Sequence, residues 1–207
     1  MKALPTVIRI IFLGLFVFLI ANGNMIFWLI IFGATVIAAI FFGRIFCGYI
    51  CPMNTVMIPA EWISKKLNIQ TKGTPKWLKS GIFGWIFLVV SVAILLLSQR
   101  LLQFNIPILP IWLVIAVLFT LRYRAAVFHN LICPFGVLQK LTGRFAVLSR
   151  KVDLDTCIGC KKCEDACPSD AIVVRDEDKK AYINKGLCHQ CKNCANICPT
   201  SAIHYTK

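Results

Sequence analysis

Cys157-Ile158-Gly159-Cys160-Lys161-Lys162-Cys163-Glu164-Asp165-Ala166-Cys167-Pro168 is followed, 31 residues on, by Cys188-His189-Gln190-Cys191-Lys192-Asn193-Cys194-Ala195-Asn196-Ile197-Cys198-Pro199. Both stretches read Cys-x2-Cys-x2-Cys-x3-Cys-Pro. A 4Fe–4S cube needs four thiolates, and a tight loop presents three of them from one piece of backbone. The fourth, ahead of the proline, is expected at the start of a short helix that turns away from its own loop. It then reaches the other cube. On this reading Cys157, Cys160, Cys163 and Cys198 hold one cube, and Cys188, Cys191, Cys194 and Cys167 hold the other. Zinc sites have no need of three cysteines at this interval plus a Cys-Pro, written twice. Closely spaced thiols on one loop also suit a metal cluster better than a disulfide framework.

The residues that follow keep the register. Ser169-Asp170-Ala171-Ile172 and Thr200-Ser201-Ala202-Ile203 each read as the end of a short helix leading into a strand. Residues 151–207 therefore resemble the bacterial two-cluster ferredoxins, a small α+β fold.

Upstream the chain changes character. Of its 207 residues 58% are hydrophobic and the mean hydropathy is +0.73, with most of the apolar runs before residue 150. That composition points to a bilayer and to two domains, an α-helical membrane domain over 1–150 and the ferredoxin-like domain over 151–207. A net charge of +14 raises the question of nucleic acid. The basic residues flank apolar spans instead of forming a stripe, so nucleic acid is not an expected partner.

Four apolar runs, 6–22, 25–43, 81–98 and 108–121, read as transmembrane helices in two hairpins. The first could pass for a signal peptide, with Lys2 and Arg9 as its basic end. No small-x-small cleavage pattern follows, so a retained helix is expected. Basic residues gather at the amino terminus, between Arg44 and Lys79 (Lys65, Lys66, Lys72 and Lys76 among them) and after Leu121. The loop at Gly23 has none, and the loop between the third and fourth runs has only Arg100. The positive-inside bias then places both termini and the long middle loop in the cytoplasm, in a multi-pass protein of the inner membrane. Residues 61–67 read equally as a helix on the membrane surface, with Trp62 at headgroup depth, or as a solvated loop. Residues 134–150 read as an amphipathic linker helix, with Val137, Leu138 and Leu141 on one side and Lys140 and Arg144 elsewhere.

The two hairpins end alike, in Phe46-Cys47-Gly48-Tyr49-Ile50-Cys51-Pro52 and Phe128-His129-Asn130-Leu131-Ile132-Cys133-Pro134. Aligned on Cys-Pro, Cys51 matches Cys133 and Cys47 matches His129. If the stretches are helical, each i, i+4 pair shares a face. Hairpins that enter and leave on one side are parallel repeats, and an axis along the membrane normal would bring Cys47, Cys51, Cys133 and His129 together. Three readings stand for this quartet: a third metal centre, iron–sulfur or copper, a reversible dithiol pair, or buried small residues.

Membrane spans, a Cys-x3-Cys-Pro motif at a helix exit and a C-terminal two-cluster module together resemble the NapH/NosR-type membrane polyferredoxins, over nearly the whole chain. That family includes membrane components of quinol dehydrogenases serving nitrate reductase, and accessory proteins of nitrous-oxide reductase. The resemblance implies a membrane-anchored iron–sulfur electron-transfer subunit, with other redox subunits as partners and quinol as membrane donor or acceptor. The alternative is an accessory or maturation factor that supplies electrons or handles metal for a partner reductase. His129 departs from the family's usual cysteine. The large flavin-binding domain of the NosR-like members has no counterpart, so its activity is not implied.

Other chemistry is excluded by what the residues lack. There is no Cys-x2-Cys-His and no histidine within a span, so no haem is expected. Without a Gly-x-Gly-x-x-Gly or phosphate loop, no nucleotide is expected. The spans hold no charged relay of the kind a proton pump needs.

Overall fold

A computed structural model describes residues 3–71, 73–102 and 107–207. The basic residues Lys2 and Lys72, and positions 103–106 of the short loop, lie outside the described residues.

Three helices are long and apolar enough to cross a membrane, at Leu4–Ala21, Met25–Phe42 and Ile82–Arg100. They belong to α1 (Ala3–Ala21), α2 (Met25–Phe42) and α4 (Ile82–Leu97), the last prolonged by a π-helical turn at Ser98–Leu102. The fourth expected span is α5, Ile108–Arg122, at 15 residues. At 1.5 Å per residue it covers roughly 22 Å, short of a hydrocarbon core of about 30 Å. Ile10, Val17 and Phe18 of α1, Ile26, Ile30 and Ile37 of α2, Val89 and Leu96 of α4 and Leu118 of α5 all lie exposed. So much bare apolar surface is unusual for a protein bathed in water.

The chain packs as two compact units, 1–51 with 139–207, and 52–138. In the second, α3 (Pro52–Lys66) lies against α5. Its buried face is Met53, Met57, Ala60 and Ser64, at the helical period, and Leu109, Trp112, Ala116 and Thr120 face inward on α5. Residues 61–66 are thus the last turns of a longer helix. Its side chains Trp62 and Ile63 are exposed.

Each unit contains one hairpin exit, and the two exits have the same backbone. A π-helical turn spans Phe46–Ile50 in one and Phe128–Ile132 in the other, after the short α6 (Ala125–Val127). The turns close through Cys51 N–H to Phe46 O and Cys133 N–H to Phe128 O, both at 2.8 Å. Each cysteine is then extended, at φ −63°, ψ 117° and φ −60°, ψ 117°. A following proline disfavours the helical region for the residue before it, and fits the first position of the next helix. The wider turn replaces the i, i+4 face expected of an ordinary helix. The ring packing repeats too. Trp28 and Phe46 lie 6.4 Å apart at 56°, and Trp112 and Phe128 lie 6.5 Å apart at 55°. Phe16 and Phe87 meet those tryptophans edge-on at 5.0 and 5.4 Å.

After Cys133, α7 runs only over Pro134–Gly143. The amphipathic helix expected to Arg150 stops there, because β1 (Ser149–Val152) has begun pairing with β4 (Ile203–Thr206). Its inward side is also not the apolar one, since Gln139 is buried, with Nε2 donating to Thr35 Oγ1, while Leu141 is exposed. The remaining elements are α8 (Lys162–Asp165), β2 (Ile172–Val174), β3 (Ala181–Ile183) and α9 (Asn193–Ile197), with β2 and β3 antiparallel. Cys167 and Cys198 follow α8 and α9, not the start of a helix as expected. Cys198 is extended at φ −69°, ψ 117°, the same pre-proline restraint ending the helix. The core here is small, built from Ala171, Ile172, Val174, Ala181 and Ile203 around the cysteines. A module of this size needs staples beyond apolar burial.

Candidate functional site

The duplication is visible in the backbone. Gly159 (φ +65°) and Gln190 (+57°), Lys161 (+61°) and Lys192 (+69°), and Asp170 (+49°) and Ser201 (+53°) are left-handed pairs, each 31 residues apart. Alternation of left- and right-handed residues turns successive N–H groups to one side, a concavity suited to an anion. Only the first loop requires glycine for space as well as angle. A Cβ on Gly159 would stand 2.0 Å from Lys179 O. We expect Gly159→Ala to cost about 1–3 kcal/mol in backbone conformation before that clash is counted. It should cost the first site its cube while the second persists, read as iron content and site-resolved magnetic spectra.

Cys157, Cys160, Cys163 and Cys198 line one pocket, walled by Val174, Ala181 and Ile203. The second set assembles around Cys167, whose sulfur is near enough to act on the charge of Cys188, Cys191 and Cys194. Burial pushes the Cys188 and Cys194 thiols up to about 12, and raises Cys191 and Cys163 as well. Loading these thiols with iron therefore releases protons. The two fourth cysteines have matching partners. Ala171 N–H donates to Cys167 Sγ and Ala202 N–H to Cys198 Sγ, both at 3.3 Å, and the hydroxyls of Ser169 and Thr200 stand at 3.5 and 3.6 Å. Burial would raise the Cys198 thiol, but donation from Thr200 and Ala202 outweighs it and holds the thiol below its usual value.

Both sets fit an anionic iron–sulfur group. Their donors are all thiols, within one apolar-walled cavity for the first set. Among the described residues no three His, Cys, Asp or Glu side chains are placed to hold a single metal ion. Two buried donors beside the second set, Arg150 Nε and Gln190 Nε2, have no acceptor among the described residues.

A further contact with the second loop was not foreseen from the sequence. The exit motif at Cys47 packs on it. Arg44, fully buried, donates through Nη2 to Cys47 Sγ at 3.5 Å and through Nη1 to Gly186 O and Leu187 O at 3.3 and 3.4 Å. Tyr49 Oη donates to Gln190 O at 3.1 Å, and Arg9 Nε to Gly48 O at 2.8 Å. The signal was Gly48 within an otherwise bulky turn. A Cβ there would lie 2.1 Å from His189 O. An open crevice has Pro5, Thr6 and Arg9 on one wall and Cys191, Asn193 and Asn196 on the other. Cys47 and Cys51 are buried in the first unit, while His129 and Cys133 are buried in the second. There Gly136 N–H donates to Cys133 Sγ at 3.4 Å.

A family model described as a 4Fe-4S dicluster domain matches residues 156–202, and one described as a 4Fe-4S binding domain matches 24–70 and 105–154. The ferredoxin-type protein NapH of Haemophilus influenzae is 30% identical over 154 residues, 68% of this chain and 54% of that protein. The chain belongs to the NapH-type ferredoxin proteins. Another relative of this chain is the methylamine utilization ferredoxin-type protein MauN of Methylobacillus flagellatus. It is 27% identical over 161 residues, 71% of this chain and 57% of MauN. An uncharacterised protein of Methanocaldococcus jannaschii is 26% identical over 138 residues, 64% of this chain and 54% of its own length. The chain spans about half the length of the curated relatives it matches. No solved structure matches it.

Proposed function

We propose that the chain is a membrane-anchored electron-transfer subunit, passing single electrons between a membrane donor, quinol by the family resemblance, and a redox partner on the cytoplasmic face. The observation that carries this reading is the pair of four-thiol sets, each drawing three cysteines from one loop and the fourth from the other half of the repeat. Two 4Fe–4S cubes, when bound, supply one-electron carriers of low potential. Cys157, Cys160, Cys163 and Cys198 would hold one, and Cys188, Cys191, Cys194 and Cys167 the other. Val174, Ala181 and Ile203 give the first an apolar wall, and the N–H groups of Ala171 and Ala202 stabilise negative charge on sulfur.

Four spans with both termini inside remain the proposed arrangement, supported by three full-length apolar helices and by the placing of the basic residues. The functional division is proposed as a membrane domain over 1–150 and a ferredoxin domain over 151–207. Cys47, Cys51, His129 and Cys133 are proposed as further metal or redox residues, and a 4Fe-4S binding family model that covers both exits supports iron–sulfur among those readings.

The test is anaerobic purification of the intact chain from washed membranes, with iron and labile sulfide counted. About eight of each is the minimum expected from two cubes. Far fewer, or a carboxy-terminal reporter that reads outside, would sink the proposal.

A further inference from the structure

The 31-residue repeat provides an internal control on what surrounds each thiol set. It carries β1 onto β3 and β2 onto β4. Ala181 and Val174, cross-strand partners that both wall the first cavity, correspond to Arg150 and Tyr205, themselves cross-strand partners. An apolar pair beside the first set is thus a guanidinium and a phenol beside the second.

Arg150 is buried, at 7% exposure. Its guanidinium lies over the Tyr205 ring at 5.6 Å, and Tyr205 Oη donates to Phe42 O at 3.0 Å. Its own N–H donates to Gln190 Oε1 at 3.1 Å, tying the arginine to the second loop. The positive charge reaches the Cys188 and Cys194 sulfurs. The first set also has cations nearby, but they are wetter. Lys161 is spent on Asp176 at 3.4 Å on the open surface, and Lys180 Nζ is taken up by Cys157 O at 2.6 Å. Charges in solvent are screened, whereas a buried one acts through a low dielectric.

Burial also differs between the two loops. Ile158 of the first is 64% exposed, while His189, its counterpart, is 1% exposed. Burial alone makes added negative charge harder to accept, so the second site would be the harder to reduce.

We infer that Arg150 is a positioning residue that offsets this burial, holding up the potential of the Cys188–Cys191–Cys194–Cys167 site with no equivalent at the Cys157–Cys160–Cys163–Cys198 site. This rests on the iron–sulfur reading above. The Tyr205 ring lies under the guanidinium, and the Arg150 backbone N–H, donating to Gln190 Oε1, anchors that strand position to the loop.

The experiment is a potentiometric titration of the intact, iron-loaded chain followed by electron paramagnetic resonance, with Cys160→Ser used to assign the first-site signal. In Arg150→Gln the second-site equilibrium should favour the oxidised form by about tenfold, about 59 mV for one electron, with the first site unmoved. Arg150→Lys should stay near wild type. Loss of only the second cube from Arg150→Gln, with retention in Arg150→Lys, would equally support the charge role. An unmoved second site, an equal shift at both sites, or an Arg150→Lys as impaired as Arg150→Gln overturns it. A wild-type chain without iron would instead overturn the functional reading on which it rests.

Discussion

Cys198→Ser should empty the site of the first loop and spare that of the second, although Cys198 follows the second loop in the chain. The reason is the exchange of fourth ligands between the halves. Cys198 lines the same cavity as Cys157, Cys160 and Cys163, while the Cys167 sulfur lies among Cys188, Cys191 and Cys194. About half of the iron of the two-cube module should be lost in Cys198→Ser. Cys167→Ser should lose a similar share from the opposite site. Iron analysis gives the amount, and site-resolved magnetic spectra say which cube has gone. Should each variant strip the loop directly preceding it instead, the exchanged arrangement is wrong and each loop keeps its own fourth cysteine.

Gly48→Ala, like Gly159→Ala, should be among the most damaging single methyls in the first unit. A Cβ at 2.1 Å from the His189 carbonyl oxygen has nowhere to go, because the atom it meets is backbone. Ordinary contact begins beyond 3.4 Å, so the exit turn or the second loop must move by about 1 Å or more. Such overpacking costs about 3 kcal/mol or more where neither side can yield. Tyr49 holds the two sides together here, and Arg9 ties the turn to α1. The expected result is a lower unfolding temperature with the second-site cube lost first. Gly14→Ala, with open space around its Cβ and a place inside α1, is the control and should be neutral or slightly stabilising. Equal behaviour of the two variants would show that the turn and the loop are not packed as described.

Some of this was legible in the residues alone. Eight thiols at fixed intervals predict the ligand loops, because the intervals answer to the size of the group they hold. Apolar runs predict α1, α2 and α4 to within a few residues, since length and hydropathy are local properties. Tertiary effects were not legible. The fourth cysteines close short helices, a consequence of the proline after each that a spacing rule does not record. The linker helix stops at Gly143 because Ser149–Val152 finds a strand partner more than fifty residues away. Arg44 and Arg150 read as flanking positive charges, yet both are buried against the second loop or its strand. The Cys47 motif invited comparison with Cys133, which hid its nearer relation to Cys188 and His189.

The joining of 1–51 with 139–207 in one compact unit has a consequence for biogenesis. Tyr49 leaves the ribosome 141 residues ahead of its acceptor on Gln190, so the unit closes only once the second loop has been made. Contacts so distant along the chain are slow to form. Until then the Cys47 turn waits without its cover, and a chain stalled before its second loop would present that thiol to whatever iron donor or oxidant is at hand.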